Sequence, residues 1–353
     1  MAASAGIVNI EILSLPEPPP ERSGWPWNGE PSSIAHEGSL PRISVVIPTF
    51  NQGTYIEETI RSILLQDYPN QELIIIDGGS NDETLLVIKK YEPWITYWVS
   101  EKDRGQTHAI NKGFDRATGD WVAWMNSDDL YQPMALHALA QAAELNPQAD
   151  VIFGNKESFN SDGSFRQAFI ACTPDFHTML PWQCIYSEST FFKRTTVLNE
   201  IRPNESFHHY MDSDFFWRLF LGGKRFHHVP FINAKWRIHA GSKSIKGKDI
   251  ADEERFQIML SVLSDPRTPH SEHAWVVHHL VHESLNTFGK RMFQKFREQV
   301  RALARCIGCL RVPSALWFRY LVSPFMIWKR RSTINPDLES KNVEPYRASK
   351  VES

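Results

Sequence analysis

Two adjacent aspartates, Asp128 and Asp129, directly follow an apolar run at residues 121–125. Neighbouring carboxylates repel each other, and a hydrophobic strand gives them little solvation. A divalent cation would neutralise both charges, and carboxylate oxygens are hard ligands that suit Mg²⁺ or Mn²⁺. The pair therefore predicts a metal-assisted site at the end of a buried strand, with a helix cap before Leu130 as the alternative.

Polar groups also end two other strand-like segments. The β-branched runs at 43–50 and 72–80 predict buried strands. The first run closes on Pro48, Thr49 and Asn51, and the second closes on Asp77 and two glycines. Each of these groups thus stands at or just beyond the end of a predicted strand.

Helical patterns separate the strands. Apolar residues recur at helical spacing in "GTYIEETIRSILLQDY", while "NDETLLVIKKYE" and "GQTHAINKGFDRA" supply two more predicted helices. Alternation of strand and helix predicts an α/β fold with a mainly parallel sheet. Ligands bind outside the carboxyl ends of the strands in such sheets, so the polar groups should share one crevice.

Several ordered motifs resemble those of the family 2 glycosyltransferases. They lie between residues 41 and 245 and include "ISVVIPTFNQ", "ELIIIDGGSNDET", "SEKDRGQTHAINKGFDRATGDWVAWMNSDDLY", "YMDSDFFWRL" and "RIHAGSKS". The resemblance implies a GT-A-type, Rossmann-like sheet that is mostly parallel and flanked by helices. It also implies inverting transfer of a sugar from a nucleotide-diphosphate sugar, expected to be UDP-linked, with Mg²⁺ or Mn²⁺ as cofactor.

The same resemblance assigns residues to the donor. They are Pro48, Thr49 and Asn51 against the nucleoside, Asp77 on the base, Arg104, Gly105, Gln106 and Asn111 beneath the nucleotide-sugar, and Asn126 and Asp128 near the ribose. Asn126 stands where the family has the first aspartate of its paired motif, so it brings a hydrogen bond without charge. Ordinary roles stay open for Asp77 as a helix cap and for Arg104 in a surface salt bridge with Asp103 or Glu101.

Catalytic and metal-binding roles follow from the resemblance in the same way. Asp129 and His239 are the expected metal ligands, and Arg237 or Lys243 is expected to meet phosphate. Asp212 matches the aspartate that serves the family as general base, with Met211 in place of the usual glutamate. Asp214 is the second choice for the base, because it lies four residues before Arg218 and can simply pair with it.

Composition divides the chain into parts. Residues 1–40 are rich in Pro, Gly, Ser and Glu, which predicts an irregular arm pinned by Trp25 and Trp27. Residues 41–250 form the predicted glycosyltransferase domain, with a nucleotide-sugar half at 41–130 and an acceptor half at 131–250.

The C-terminal part of the chain is basic. Residues 290–331 hold eleven Lys or Arg and one Glu, which gives this segment a charge of +10 within a chain of net charge −3. Apolar and basic residues fall on opposite faces at helical spacing, as in a helix that lies on an anionic membrane surface. Residues 251–331 therefore predict a helical extension, either membrane-interfacial or packed on the catalytic domain, and residues 332–353 predict a disordered tail.

Several other classes of protein are not supported. The sequence has neither a Gly-rich dinucleotide fingerprint nor a P-loop, and its four cysteines are too few for a disulfide scaffold. No signal peptide or apolar run of about 18 residues is visible, which predicts a cytoplasmic protein that is at most peripheral on the inner face of the cell membrane. No nucleic acid is expected as a partner.

The predicted activity extends a saccharide or lipid-linked saccharide in cell-envelope polysaccharide or glycolipid synthesis. Two rivals remain. A nucleotidyltransferase shares a related sheet and metal, but would need an early phosphate-binding loop with Arg or Lys, which "IPTFNQG" lacks. A non-catalytic nucleotide-sugar-binding module would have no use for Asp129, Asp212 and His239 together.

Overall fold

The computed structural model describes residues 15–28, 40–179, 184–243 and 248–280. The chain divides into two compact units, of which residues 1–276 form the first. Within the described ranges, no helix has the length and apolar character needed to cross a bilayer. The predicted interfacial segment at 290–331 and the predicted tail at 332–353 lie outside the described residues.

The described residues contain one mixed β-sheet. Its strands are β1 (Ile43–Thr49), β2 (Gln71–Asp77), β3 (Tyr97–Ser100), β4 (Trp121–Trp124), β5 (Leu130–Tyr131), β6 (Val151–Asn160), β7 (Phe165–Phe169), β8 (Thr190–Lys193) and β9 (Phe226–Ile238). Their order is β3-β2-β1-β4-β8-β6-β9-β5, and β7 pairs with β6. The predicted α/β class is confirmed, with helices flanking a sheet that is parallel throughout its first half.

Eight α-helices accompany the strands in the described ranges. They are α1 (Ile56–Leu64), α2 (Thr84–Lys90), α3 (Gln106–Arg116), α4 (Ala135–Leu145), α5 (Phe176–Met179), α6 (Arg194–Asn199), α7 (Met211–Leu221) and α8 (Lys248–Ser264). A further helical run begins at residue 273 and continues to residue 280. The first three helices connect parallel strands, as the alternating sequence pattern predicts.

Strands β1, β2 and β4 are parallel neighbours at the centre of the first half. Their register places Thr49 opposite Asp77 and Val46 opposite Trp124. Val46 packs so closely on α3 that a Cβ added at Gly113 would lie 2.2 Å from its Cγ1 atom, so only glycine fits there. This tight packing brings the ends of β1, β2 and β4 to the same edge of the sheet.

The second half of the sheet mixes directions. Strand β6 runs parallel to β9 but antiparallel to β7 and β8, and the short strand β5 pairs antiparallel with β9. The β6–β9 pairing extends to the end of β9, where Ser158 lies opposite Trp236. Residues near 156 and 236 are therefore neighbours in space although about eighty positions separate them in sequence.

An aromatic cluster holds α7 against β4. Trp124 stacks on Phe192 with ring centroids 5.3 Å apart, and Phe215 of α7 lies 5.0 Å from Phe192. All three side chains are buried. Truncation of such a buried ring typically costs about 3–5 kcal/mol, so this cluster fixes where α7 begins relative to the end of β4.

The N-terminal arm packs on α1 and β5. The Trp25 indole donates a hydrogen bond to the Tyr131 carbonyl oxygen at 2.8 Å, and the Trp27 indole donates to a Glu58 carboxylate oxygen at 3.2 Å. Arg61 of α1 donates to the carbonyl oxygens of Pro26 and Trp27. The predicted pinning of the arm by its two tryptophans is confirmed.

Candidate active site

A cleft of about 530 Å³ opens at the carboxyl ends of β1 and β4. One side, here called the β1–β4 wall, is built from residues that follow those strands and from the start of α3: Pro48, Thr49, Gly105, Gln106, Asn126, Asp128 and Asp129. A second group of lining residues, here called the β6–β9 wall, comprises Lys156, Ser187, Glu188 and Trp236. The start of α7 and residues 241–243 also line the cleft.

The Asp128–Asp129 pair stands at the centre of the β1–β4 wall. Asp129 is buried and accepts hydrogen bonds from the Arg237 backbone N–H and the Asn126 side-chain amide, each at 2.9 Å. Burial raises the pKa of Asp129 well above its usual value, and the negative charges of Asp128 and Glu188 add to that effect. The surroundings therefore disfavour the charged form of this carboxyl group.

Among the described residues, no group of three or more His, Cys, Asp or Glu side chains is arranged to hold a metal ion. The chemistry of the available donors nevertheless suits a hard cation. Asp128 and Asp129 supply carboxylate oxygens, and His239 lies beside them with its Nε2 atom 3.0 Å from an Asp128 carboxylate oxygen. Oxygen-rich sites with one imidazole fit Mn²⁺ or Mg²⁺ better than soft metals.

A series of side-chain hydrogen bonds leads from residue 243 to Asp129. Lys243 donates to the Gln106 side-chain oxygen at 2.9 Å, and the Gln106 amide donates to the Asn126 side-chain oxygen at 2.7 Å. Asn126 in turn donates to Asp129. Four of the predicted donor-side and metal-site residues are thus connected directly within the cleft.

Thr49 and Gly105 bring backbone and hydroxyl groups close to the cleft. The Thr49 hydroxyl is buried and has no hydrogen-bond partner among the described residues. Gly105 adopts φ +117°, a conformation that favours glycine, and its N–H donates to Asp103 at 2.8 Å. Both residues line the β1–β4 wall, as the resemblance implies.

Asp212 and Asp214 lie on different sides of α7. Asp212 lines the cleft, and one of its carboxylate oxygens accepts a hydrogen bond from the Ser213 N–H at 2.8 Å. Asp214 is buried away from the cleft and pairs with Arg218 at 2.6 Å. A step of two residues along an α-helix corresponds to a rotation of about 200° around the helix axis, so the two carboxylates cannot share one face. The predicted pairing of Asp214 with Arg218 is confirmed.

Asp77 and Asn51 do not line the cleft. The Asp77 carboxylate is fully buried and accepts hydrogen bonds from the N–H groups of Gly79 and Ser80 and from the hydroxyls of Ser80 and Ser100. Asn51, at φ +53°, accepts a hydrogen bond from the Asn81 N–H. Both side chains hold the loop after β2, and their expected contacts with base and nucleoside stay predictions.

Arg104 and Asn111 also point elsewhere. Arg104 is exposed and forms two hydrogen bonds to one Glu205 carboxylate oxygen, at 3.0 and 2.7 Å. Asn111 donates to the Pro203 carbonyl oxygen at 3.1 Å. The surface salt bridge foreseen for Arg104 therefore exists, but its partner is Glu205. Asn111 fixes the segment before α7 to α3 and does not face the cleft.

Arg237 is buried behind the Asp128–Asp129 pair. Its guanidinium pairs with Glu58 and donates to the Asp128 carbonyl oxygen at 2.9 Å. Successive residues of a strand point to opposite faces, so Trp236 reaches the cleft while Arg237 points into the interior. Of the two residues expected to meet phosphate, Lys243 lines the cleft and Arg237 does not, and the phosphate contact stays a prediction.

Sequence reasoning missed the β6–β9 wall. Lys156 and Glu188 form a buried ion pair with a nitrogen–oxygen distance of 3.3 Å, and their side chains are 10% and 9% exposed. The Lys156 ammonium also lies 4.6 Å and 4.5 Å from the ring centroids of Tyr186 and Trp236. The sequence carries only a weak signal for this wall, namely single charged residues beside the apolar segments 151–153 and 190–192.

The loop before α7 is held by a carboxylate that sequence reasoning also missed. Glu254 of α8 accepts hydrogen bonds from the backbone N–H groups of His208, His209 and Tyr210, at 2.6 to 2.9 Å. Burial, assisted by the charge of Lys243, lowers the pKa of His209, which lines the cleft beside Asp212. Helix α8 therefore sets the position of the loop that leads into Asp212.

Comparisons with known proteins find related sequences and similar folds. The chain is 34% identical over 120 residues to the Campylobacter jejuni GalNAc(5)-diNAcBac-PP-undecaprenol beta-1,3-glucosyltransferase, covering 33% of this chain and 38% of that protein. Staphylococcus aureus TarS 1–349 in complex with UDP-GlcNAc superposes with a TM-score of 0.58 at 19% identity, covering 78% of this chain and 82% of TarS. A Pyrobaculum calidifontis mannosyltransferase in complex with GDP-Man and Mn²⁺ gives 0.50 at 18% identity, covering 83% and 90%.

These comparisons support conclusions of different scope. The two solved structures establish a shared fold, and the chain spans only 31–36% of the length of the first curated relatives that it matches. The family model for glycosyl transferase family 2 matches residues 44–216, from β1 into α7. That range holds the Asp128–Asp129 pair, Asp212 and most of the cleft. Over residues 44–216, the chain is similar to the members of glycosyltransferase family 2.

Proposed function

We propose that this chain is an inverting glycosyltransferase that moves a sugar from a nucleotide-diphosphate sugar to a saccharide or lipid-linked saccharide acceptor. The observation that carries the proposal is the cleft itself, where Asp128 and Asp129 on one wall and Asp212 at its end line the same space. In this arrangement an acidic pair can hold the charged end of a donor while a separate carboxylate acts on the acceptor.

Asp212 is the proposed general base. The acceptor hydroxyl oxygen attacks the anomeric carbon and gives its proton to the Asp212 carboxylate, while the bond from that carbon to the diphosphate oxygen breaks. The nucleoside diphosphate leaves with the bonding electrons. Attack from the face opposite the leaving group inverts the anomeric configuration, and one carboxylate suffices for this chemistry.

Asp129 and His239 are the proposed ligands of a divalent cation, with Asp128 beside them. When bound, such a cation stabilises the negative charge that develops on the leaving diphosphate. Support comes from the buried acidic pair, from the nearby imidazole and from the Mn²⁺ in the Pyrobaculum calidifontis mannosyltransferase structure. Asn126, Gln106 and Lys243 extend the hydrogen-bonded row from Asp129 toward the outer phosphate position.

The nucleoside would lie near Pro48, Thr49 and Gly105 on the β1–β4 wall. A uridine diphosphate sugar is the first donor to test, because the TarS structure of similar fold holds UDP-GlcNAc. Asp77 fixes the loop at residues 78–80 beside this subsite and is the proposed contact of the base. Asp128, which lines the cleft, is the proposed acceptor of hydrogen bonds from the ribose hydroxyls.

The acceptor is proposed to bind against the β6–β9 wall. Trp236 offers an aromatic ring, and Glu188 and Lys156 offer charged hydrogen-bonding groups. The Campylobacter jejuni relative is named for an undecaprenol-linked saccharide, which supports a lipid-linked acceptor and a role in cell-envelope synthesis. Such an acceptor would be presented at a membrane surface.

A panel of nucleotide sugars tests the proposal. Each would be added with Mn²⁺ or Mg²⁺, and the shift of the thermal unfolding midpoint would identify the donor, since a ligand stabilises the state that binds it. Release of the nucleoside diphosphate in the presence of acceptor saccharides would then establish turnover. Binding without any sugar transfer would favour a binding module, and transfer of the nucleotide in place of the sugar would favour a nucleotidyltransferase.

Peripheral attachment to the inner face of the cell membrane is part of the proposal. Its support is the charge of +10 over residues 290–331. Each basic residue near an anionic surface contributes up to about 1 kcal/mol. Co-sedimentation of the full chain with anionic vesicles, compared with a chain ending at residue 285, tests this. Equal sedimentation of both chains at low and high salt would refute it.

A further inference from the structure

A buried ion pair between Glu58 and Arg237 lies behind the cleft. Neither residue lines the cleft, and neither takes part in the proposed reaction. The side chains are 10% and 3% exposed, so the pair is held away from bulk water. Buried charges need specific partners, and the identity of those partners indicates what the pair does.

Arg237 contacts both members of the Asp128–Asp129 pair. Its Nε atom donates to the Asp128 carbonyl oxygen, and its backbone N–H donates to an Asp129 carboxylate oxygen, each at 2.9 Å. The guanidinium carbon lies 5.0 Å and 4.5 Å from the ring centroids of Tyr55 and Phe159. These contacts fix the rotamer of Arg237 and the direction of the Asp129 carboxylate.

Glu58 connects Arg237 to the N-terminal arm. One carboxylate oxygen pairs with Arg237, and the other accepts hydrogen bonds from Arg22 at 3.0 Å and from the Trp27 indole at 3.2 Å. Both oxygens are therefore occupied, one by the segment beside the cleft and one by the arm. The arm lies outside residues 44–216, the range that the family model matches.

Two further contacts tie the same elements to the acidic pair. Thr59, the next residue of α1, donates from its hydroxyl to the Asp129 carbonyl oxygen at 2.8 Å. Trp25 of the arm donates to the carbonyl oxygen of Tyr131, two residues beyond Asp129. The backbone on both sides of Asp129 is thus held by α1, β9 and the arm.

We propose that Glu58 and Arg237 are positioning residues for the Asp128–Asp129 pair, and that the arm at residues 15–28 is a working part of the transfer site. The inference rests on the proposed function, because it assigns a task to residues that support the proposed metal and donor ligands. Outer-shell groups of this kind orient the groups that bind the ion.

Charge explains why Glu58 matters for the cleft. The Glu58 carboxylate balances Arg237 from behind, which leaves the negative charge of Asp128 and Asp129 available to a cation in front. Without that carboxylate, the guanidinium that donates to the Asp128 carbonyl oxygen would carry an unbalanced positive charge near the oxygens of the acidic pair. Arg237 would then compete with the cation for the same oxygens.

The test replaces Glu58 with glutamine in the full chain and measures the dissociation constant for Mn²⁺ alone by titration calorimetry. Glutamine keeps the shape and an acceptor for Trp27 but removes the charge. We expect Mn²⁺ to bind roughly 10–100-fold more weakly, the usual loss on removing an outer-shell partner. Glu58→Asp, which keeps the charge, should recover most of that affinity.

Glu57→Gln is the matched control. Glu57 is the neighbouring residue of α1 and bonds Lys90 and the Tyr91 hydroxyl, at 2.6 and 2.9 Å, so its loss removes a carboxylate without reaching Arg237. It should leave Mn²⁺ affinity unchanged. Trp27→Phe, which removes only the indole N–H from Glu58, should weaken Mn²⁺ binding by a smaller factor than Glu58→Gln.

The outcomes separate this inference from the proposed function. If Asp129→Asn loses Mn²⁺ binding but Glu58→Gln binds it like the native chain, the positioning role is overturned and the proposed site stands. If Glu58→Gln lowers the unfolding midpoint without changing the dissociation constant, its role is structural only and the inference also fails. If Asp129→Asn binds Mn²⁺ normally, the proposed metal site itself is wrong.

Discussion

The two walls of the cleft are built in different ways. The β1–β4 wall comes from loops that directly follow parallel strands, and hydrogen bonds link Gln106, Asn126 and Asp129 along it. The β6–β9 wall is assembled from three distant segments, and its Lys156–Glu188 pair is set among aromatic rings. The first wall therefore suits a charged ligand such as the nucleotide-diphosphate donor. The second wall suits an acceptor, whose structure varies more between related enzymes.

The β1–β4 wall should carry the largest single effect. Asp129→Asn removes the central carboxylate of that wall while keeping its shape. A bound cation contributes several kcal/mol of charge stabilisation in the transition state. We therefore expect transfer to fall by at least roughly 10³-fold. Calorimetric titration with Mn²⁺ and initial rates with the identified donor would measure the loss, and native turnover that persists in excess EDTA would contradict it.

A change at Asp212 should lower the rate of transfer without lowering the affinity for the donor. Asp212→Asn keeps the hydrogen bond to the Ser213 N–H but cannot accept the acceptor's proton. Transfer should drop by roughly 10²–10⁴-fold, the usual contribution of a general base. The donor and Mn²⁺ should bind nearly as before, because the β1–β4 wall is untouched. Equal loss of donor affinity and turnover would place Asp212 in the donor site.

The β6–β9 wall should affect the acceptor more than the donor. Glu188→Gln removes one charge of the buried pair with Lys156, and we expect the acceptor KM to rise about tenfold, the effect of roughly one charged hydrogen bond. Because the Glu188 charge also acts on Asp129, hydrolysis of the donor without acceptor should change, but by less than the acceptor KM. Initial rates over a range of acceptor concentrations give the first quantity, and nucleoside diphosphate release in buffer gives the second.

A matched control lies on the neighbouring residue of the same strand. Glu157 pairs with Lys235 at 3.4 Å, and these side chains are 17% and 23% exposed. Alternation along β6 places them on the opposite face from Lys156, away from the cleft. Glu157→Gln should therefore leave the acceptor KM unchanged. If both variants raise it equally, the effect comes from loss of a sheet ion pair and the proposed acceptor wall is wrong.

The contrast between the walls also explains what the sequence could predict. Thr49, Asn126, Asp128 and Asp129 follow strands with strong apolar patterns, and local spacing is enough to place them at the edge of a parallel sheet. Lys156, Glu188 and Trp236 meet only because β6 pairs with both β8 and β9. No local pattern specifies that pairing, so this wall could not be found from sequence spacing.

Five of the predicted site residues have side chains that contact the surrounding protein, and these contacts have a common cause. Asp77, Asn51, Arg104, Asn111 and Arg237 are correctly placed near the cleft by chain position, yet each side chain is engaged by the surrounding protein. Position in the sequence predicts which loop or strand holds a residue. The direction of a polar side chain depends in addition on which buried donors and acceptors nearby need a hydrogen-bond partner. Arg237 shows this most clearly, because one step along β9 decides between cleft and interior.

The smallest effect should come from Asp214, two residues beyond Asp212 and on the other side of α7. Asp214→Asn exchanges a charge-assisted bond to Arg218 for a neutral one, at a cost of about 1 kcal/mol in the free energy of unfolding near neutral pH. Turnover should remain close to that of the native chain, because Asp214 does not line the cleft.

Burial gives Asp214 a pH signature that identifies its role. Burial raises its pKa in the folded chain above the ordinary value, although the bond to Arg218 opposes the shift. The folded chain therefore holds this proton more tightly than the unfolded chain, and stability from this residue falls as pH rises from the unfolded pKa through the raised folded pKa. Asparagine binds no such proton. The free energy of unfolding of the variant should therefore be closest to that of the native chain above this pH range and furthest below it at lower pH. Urea unfolding midpoints measured across the acidic range would show this convergence. A large loss of turnover at constant stability would instead make Asp214 the base and leave Asp212 with a positioning role.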